Sequence, residues 1–183
     1  MSNKNDFKPY ISADKVLPEL TVTSIIIGLI LAVVFGAANA YLGLRVGMTI
    51  SASIPAAVIS MGIIRVIMRR NSILENNMVQ TIGSAGESLA AGAIFTLPAL
   101  FMWAAESSSV AAPSFWNIAM LGLFGGILGV LFMIPLRNAL IVEEHGVLPF
   151  PEGTACAEVL LAGEEGGAKT KVVFSGLGIA AIY

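Results

Sequence analysis

The sequence has little charge. Asp, Glu, Lys and Arg make up 12% of its 183 residues, against roughly 25% in an average soluble domain. Hydrophobic residues account for 56%, and the mean hydropathy is +0.85. A composition this apolar indicates a membrane protein that meets the lipid bilayer over much of its surface. The net charge of -2 and the lack of a Lys/Arg cluster among aromatics give no support for a nucleic-acid partner.

Cysteine and histidine are equally scarce, with one of each, Cys156 and His145. A single cysteine excludes an internal disulfide framework. Together with Glu152, the two residues match no zinc-ligand spacing, so the sequence predicts no metal, cofactor or catalytic residue. The first twenty residues lack an apolar core followed by a small-residue cleavage site. They are therefore expected to form a cytoplasmic lead rather than a secretory signal.

The sequence is rich in long apolar runs. A membrane-spanning helix needs about 20 apolar residues, and four stretches qualify: 21–44, 46–68, 78–105 and 107–136. The sequence predicts an all-α polytopic membrane protein with about four full transmembrane helices, a re-entrant or half-helix segment and a truncated fifth span. The expected divisions are a lead (1–19), a first helical pair (20–68), a second pair (69–136), the half-helix segment (137–171) and the start of a further span (172–183).

Basic residues give an orientation. If the four stretches cross the membrane in turn, every Lys and Arg except Arg45 falls on one side, and the positive-inside rule makes that side cytoplasmic. We therefore expect a multi-pass protein of the cell (inner) membrane with a cytoplasmic N-terminus and with residues 106–113 outside. The apolar run 172–183 has no cap or flanking charge, so the rest of a longer polypeptide is expected as a partner.

Two stretches resemble each other within the chain. RNSILENNMVQTIGSAGESLAAG begins at Arg70, and RNALIVEEHGVLPFPEGTACAEVLLAG begins at Arg137. They share Arg-Asn, Ile-x-Glu and a closing x-Glu-x-Leu-x-Ala-Gly, which pairs Glu87 with Glu158. The expected unit is an apolar helix, an Arg-Asn turn, a polar connector and a small-residue helix with one acid. Internal repeats of this kind are typical of transporters; chance similarity between small-residue stretches is the alternative.

The first copy carries a polar stripe inside an apolar segment. At 100° per residue, its polar residues fall within an arc of about 120°. Glu87 lies about 14 Å into the hydrocarbon by helical rise, and an acid at that depth is a functional candidate. We expect Glu87, and then Glu158, to couple transport to protons, with Gly83, Ser84 and Gly86 leaving room beside Glu87. A structural Glu paired to a neighbouring helix is the alternative. The stripe gives these substrate-binding candidates: Asn76, Asn77, Gln80, Ser84 and Ser88.

A second candidate site is HGVLPFPEGTACAEVL, residues 145–160. Its two prolines forbid a continuous helix, and Thr154 is a plausible N-cap. We expect an extended segment that leads into a half-helix, whose N-terminal dipole can meet an anionic group through Glu152, Gly153 and Thr154. A loop that packs against helix ends is the alternative.

Three blocks carry a family resemblance: NAYLGLRVGMTISASIPAAVISM, ILENNMVQTIGSAGESLAAGAIFTLPALF and LPFPEGTACAEVLLAGE. They resemble the prokaryotic branch of the oligopeptide transporter (OPT) family. The resemblance implies a parent protein of roughly sixteen helices built by duplication, and secondary transport of small peptides, peptide-like solutes or metal chelates, driven by protons. The rival hypothesis is an intramembrane enzyme, or a small subunit of a membrane complex, that uses Cys156 and His145.

Overall fold

The computed structural model describes residues 9–12, 14–70, 72–107 and 110–182, and its regular elements there are all helical. Parts of the predicted lead, residue 71 of the predicted Arg-Asn turn in the first copy, residues 108 and 109 of the predicted outer loop, and residue 183 lie outside the described residues. The helices are α1 (Val22–Val46), α2 (Ser53–Met61), α3 (Ile73–Glu106), α4 (Phe115–Arg137), α5 (Pro151–Glu165) and α6 (Gly167–Ile182). The all-helical class predicted from the sequence is confirmed.

Three helices are long and apolar enough to cross a membrane: α1, α3, and α4 together with the π-helical turn Asn138–Glu143 that continues it. They correspond to the first, third and fourth predicted spans. The expectation of a full span over residues 46–68 is wrong. Gly47 ends α1 in the left-handed region at φ 74°, and α2 with its π-helical continuation Gly62–Ile67 has nine plus six residues. Fifteen residues rise only about 22 Å, which is short of a hydrocarbon core of about 30 Å.

The chain forms two compact units, residues 1–16 with 95–150, and residues 17–94 with 151–183. The second unit contains α1, α2, most of α3, α5 and α6, and α2 lies at its centre. On one side of α2, Ala56 and Ile64 pack against Leu31 of α1 and Val79 of α3. On its other side, α2 packs against Leu160 of α5 and partly buried apolar side chains of α6.

Small residues bring α1 and α3 together. A Cβ on Gly28 would lie 2.7 Å from the Cβ of Ile82, and a Cβ on Gly86 would overlap the backbone oxygen of Ala32. A Cβ on Gly83 would lie 3.3 Å from the Cβ of Leu31, which is a tight contact without overlap. The expectation that Gly83 and Gly86 leave room beside Glu87 is therefore wrong. These glycines permit the close helix approach that is common in membranes.

The first unit contains the end of α3, with Pro98 inside the helix, and all of α4. Ser114 caps α4 by accepting a hydrogen bond from the backbone N–H of Asn117 at 3.3 Å. Among the described residues of α4, none is buried. Apolar side chains exposed all round a helix are those of a surface that meets lipid or other apolar helices.

The two repeat copies differ in local structure. In the first copy, Ile73 opens α3 soon after Arg70. In the second copy, the chain stays helical past Arg137 as the turn Asn138–Glu143, and α5 begins only at Pro151. The predicted Arg-Asn turn is therefore wrong for the second copy.

Candidate functional site

The segment between α1 and α2 doubles back along α1. Asn39 holds it, because its side-chain amide donates to the carbonyl of Ile50 at 2.9 Å and its side-chain oxygen accepts from the Ile50 N–H at 2.8 Å. Asn39 is seven residues before the end of α1, so Ile50 is drawn back by about 10 Å along that helix. As a result, α2 begins beside the middle of its neighbours and is a half-helix.

Glu87 of α3 meets the N-terminus of this half-helix. The backbone N–H of Ala52, the N-cap residue, donates to Glu87 Oε2 at 2.8 Å. Ala52 has no side chain that can cap a helix. The Glu87 carboxylate instead satisfies the N–H of the N-cap residue itself. A negative charge is favoured at this position because free N–H groups and the helix dipole make a helix N-terminus positive.

Glu152 reaches the same segment from α5. Its carboxylate accepts a hydrogen bond from the hydroxyl of Ser51. That bond, and a second one from the side chain of Ser53, lower the pKa of Glu152 below its ordinary value of 4.5. Residues 51–53 therefore hydrogen-bond two carboxylates, one from α3 and one from α5.

The two half-helices run parallel. At the opposite end of the pair, Arg65 donates from its guanidinium to the carbonyl of Gly163, in the last turn of α5. Because the starts of α2 and α5 meet at residues 51–53 and their ends meet at Arg65, both N-terminal dipoles point toward Glu87 and Glu152. This arrangement can hold negatively charged groups.

The break before α5 occurs as predicted, since residues 144–150 leave the helix. The predicted start at Thr154 is wrong. The helix starts at Pro151, whose fixed φ and missing N–H suit the first helical position. Glu152, Gly153 and Thr154 consequently lie in the first turn, all exposed.

The predicted stripe on α3 does not face a single environment. Asn76 is buried and its backbone carbonyl accepts from Ser60 of α2 at 3.4 Å. Gln80, Ser84 and Glu87 are half-buried, whereas Asn77 and Ser88 are exposed. The Ser88 hydroxyl donates to the Ser84 carbonyl at 3.1 Å, within its own helix.

Glu158 stands apart from the acids at residues 51–53. It is exposed, whereas its neighbours Cys156 and Leu160 are buried. The structure thus brings Glu152 rather than Glu158 to the segment that binds Glu87. The sequence signal for this pairing was weak, since Ser51 and Ser53 are separated from Glu152 by about a hundred residues.

A buried acid that was not among the predicted site residues lies at the start of α3. Glu75 is 1% exposed, and its Oε1 accepts from the Thr21 hydroxyl at 2.7 Å and from Arg70 at 3.4 Å. The available signal was its place in the shared Ile-x-Glu of the repeat.

The environment of Cys156 does not favour a reactive thiolate. Burial, and then the negative charge of Glu152, raise the pKa of its thiol. A thiol with a raised pKa carries little of the reactive thiolate at neutral pH.

Three helices within the described ranges are long and apolar enough to span a membrane, and acids meet the starts of two half-helices. Half-helices at a binding site are typical of secondary transporters. The family model described as OPT oligopeptide transporter protein matches residues 19–183, and the chain belongs to this family. A Haemophilus influenzae protein named as a candidate oligopeptide transporter is 49% identical over 123 residues, which are 67% of this chain and 18% of that protein. The chain therefore spans less than a fifth of the length of this relative. No solved structure matches.

Proposed function

We propose that the chain is the N-terminal portion of a proton-coupled secondary transporter for small peptides, peptide-like solutes or metal chelates. Family membership supports a role in transport. The observation that carries the proposal is the meeting of Glu87 with the N-terminus of α2. Secondary transporters bind anionic substrate groups at the N-termini of half-helices near the middle of the membrane.

The coupling step follows from what Glu87 does there. Its carboxylate occupies the positive end of α2, where the carboxylate of a peptide-like substrate would also bind. A proton on Glu87 makes the side chain neutral and removes the charge that favours its place on the Ala52 N–H. A substrate carboxylate then takes that place, so substrate binding and proton binding support each other.

Neighbouring groups complete the proposed site. Gln80, Ser84 and Ser88 lie on the same helix as Glu87. In the first turn of α5, the backbone N–H of Gly153 has no intrahelical acceptor, and Thr154 offers its side-chain hydroxyl. We propose that these groups contact the rest of the substrate, together with Asn76 and Asn77 nearer the start of α3. Glu158 is the reserve candidate for proton coupling, in the position that the repeat pairs with Glu87.

The test is Glu87→Gln in the full-length transporter, since Gln has the shape of the protonated acid. We expect substrate exchange down its gradient within about threefold of wild type and loss of at least tenfold in uphill uptake driven by a pH gradient. Both are measured in proteoliposomes with labelled peptide. Glu106→Gln, which changes an exposed acid at the end of the same helix, is the matched control. Wild-type pH-driven accumulation by Glu87→Gln would contradict the proposal and direct attention to Glu158.

We also propose an inner-membrane location with a cytoplasmic N-terminus. In support, the Ser72 hydroxyl donates to the Pro18 carbonyl at 2.8 Å, so α1 and α3 start at the same end of their unit. Arg65, Arg69 and Arg70 all come from the chain between α2 and α3, at that same end, as the positive-inside rule requires.

The enzyme alternative has less support. The family is one of transporters, and the raised pKa of Cys156 disfavours a thiolate nucleophile. We propose no enzymatic activity for this chain.

A further inference from the structure

The acid that the proposed transport cycle does not use is Glu75. Glu75 lies in the first turn of α3 and is 1% exposed. One of its two carboxylate oxygens accepts two hydrogen bonds. Oε1 accepts from the Thr21 hydroxyl at 2.7 Å and from Arg70 Nη1 at 3.4 Å. Thr21 is also the N-cap of α1, since its hydroxyl accepts from the Ser24 N–H. Glu75 therefore lies where α1 and α3 both begin.

The second carboxylate oxygen of Glu75, Oε2, lacks such hydrogen bonds within the residues that the structure describes. Oε2 is buried and has no hydrogen-bond partner among the described residues. The side-chain oxygen of Asn76, the next residue, is also buried and without a partner in the described part of the chain. Both atoms are acceptors, so neither can satisfy the other while Glu75 is ionised. A buried polar group that lacks a partner is costly, and the cost is greatest for a charge.

The charges around Glu75 offset only part of this cost. Arg70 contacts only Oε1, and its side chain is 55% exposed. On the lead before α1, Lys15 and Glu19 are exposed. From α2 and its continuation, Arg65 is bonded to the Gly163 carbonyl of α5. Residues 22–44 of α1 contain no ionisable acid or base except Tyr41, whose side chain is exposed.

We infer that Glu75 is a proton-binding site, separate from Glu87, with the proton on Oε2. The proton converts an unmatched buried acceptor into a neutral hydroxyl group and removes the charge that burial makes most costly. Oε1 then becomes the carbonyl oxygen of a carboxylic acid and keeps the hydrogen bond from Thr21. Its attraction for Arg70 falls, because the acid is neutral. Proton binding thus acts on the junction where α1 and α3 start.

Infrared spectroscopy of the full-length transporter tests this inference without any transport measurement. Difference spectra between high and low pH should contain a carbonyl stretching band of a protonated carboxylic acid that is lost in Glu75→Gln. The band should remain in Glu106→Gln, which alters an exposed acid on the same helix, and in Glu87→Gln. A failure of the proposed coupling through Glu87 would leave this result unchanged.

A second variant guards against loss of folding in Glu75→Gln. Thr21→Val keeps the acid and removes the hydroxyl that donates to Oε1, so the same band should persist and shift to higher frequency. The inference is overturned if folded Glu75→Gln keeps every carboxylic acid band of the wild type, or if the Thr21→Val spectrum equals that of wild type. A signal at this site that responds to sodium concentration but not to pH would also overturn it, in favour of a metal cation.

Discussion

Residues 51–53 join two acids from distant parts of the chain, and each acid is held by a different kind of donor. Glu87 accepts from a backbone N–H, whereas Glu152 accepts from side-chain hydroxyls. A hydroxyl can be removed by mutation without changing the backbone. The contribution of the Glu152 contact to stability can therefore be measured by mutation of the serine that donates to it.

We expect Ser51→Ala to move the pKa of Glu152 back toward 4.5, since the Ser51 bond is the largest cause of its lowered value. A carboxyl group with a lowered pKa in the folded state stabilises the protein above its ordinary pKa. That stabilisation is lost as the pH falls below 4.5 and through the folded-state value.

The measurement is thermal unfolding of the full-length protein at neutral pH and at a series of pH values below 5. Wild type should lose more stability on acidification than Ser51→Ala does. Ser175→Ala removes an exposed hydroxyl that bonds only within its own helix, and it should behave as wild type. Equal acid-induced losses in wild type and Ser51→Ala would show that this hydrogen bond has no effect on folding.

At the scale of elements, the contact between α1 and α3 depends on residues without side chains. In Gly86→Ala the new methyl group would overlap the backbone oxygen of Ala32, and a backbone atom cannot move aside as a flexible side chain can. We expect a loss of about 1–3 kcal/mol, the usual range for overpacking. Gly92→Ala, on the same helix with no atom within 4 Å of the added Cβ, should be neutral or slightly stabilising.

Denaturation of the full-length protein in mild detergent gives both values. A Gly86→Ala protein as stable as Gly92→Ala would mean that α1 and α3 separate at this point at little cost.

The long elements were predictable because hydropathy and length determine them, as α1, α3 and α4 show. The half-helix α2 was not, because its start depends on Asn39 and Glu87, and bonds to distant residues leave no periodic pattern in a sequence. Local signals did exist, in Gly47 and in Pro55 within the first turn of α2. For α5, the two prolines correctly predicted a break in the helix. The predicted start at Thr154 was too late, because proline is favoured at the first helical position and Pro151 begins the helix. Glu87 was found by its depth, whereas the role of Glu152 needed the fold.

At the scale of the whole molecule, the proposed orientation has a direct test. In a full-length protein with Cys156 replaced by Ala, we introduce Val110→Cys in the predicted outer loop or Lys15→Cys in the lead. A membrane-impermeant maleimide added to intact cells should label the first at least tenfold more than the second. The physical reason is the positive-inside bias of Lys and Arg. Both residues are exposed, so accessibility differs only by the side of the membrane.

Lysis before labelling is the control, and it should make both cysteines react. Labelling of Lys15→Cys but not Val110→Cys in intact cells would invert the topology.

The bond between Ala52 and Glu87 also has a consequence for biosynthesis. Glu87 is made 35 residues after Ala52. At about 5–20 residues per second, the ribosome completes that stretch in roughly two to seven seconds. During this interval nothing on α3 is present to cap α2. Asn39 can hold Ile50 as soon as that residue is made, whereas the positive end of α2 gains its acid from α3 only after Glu87 has followed.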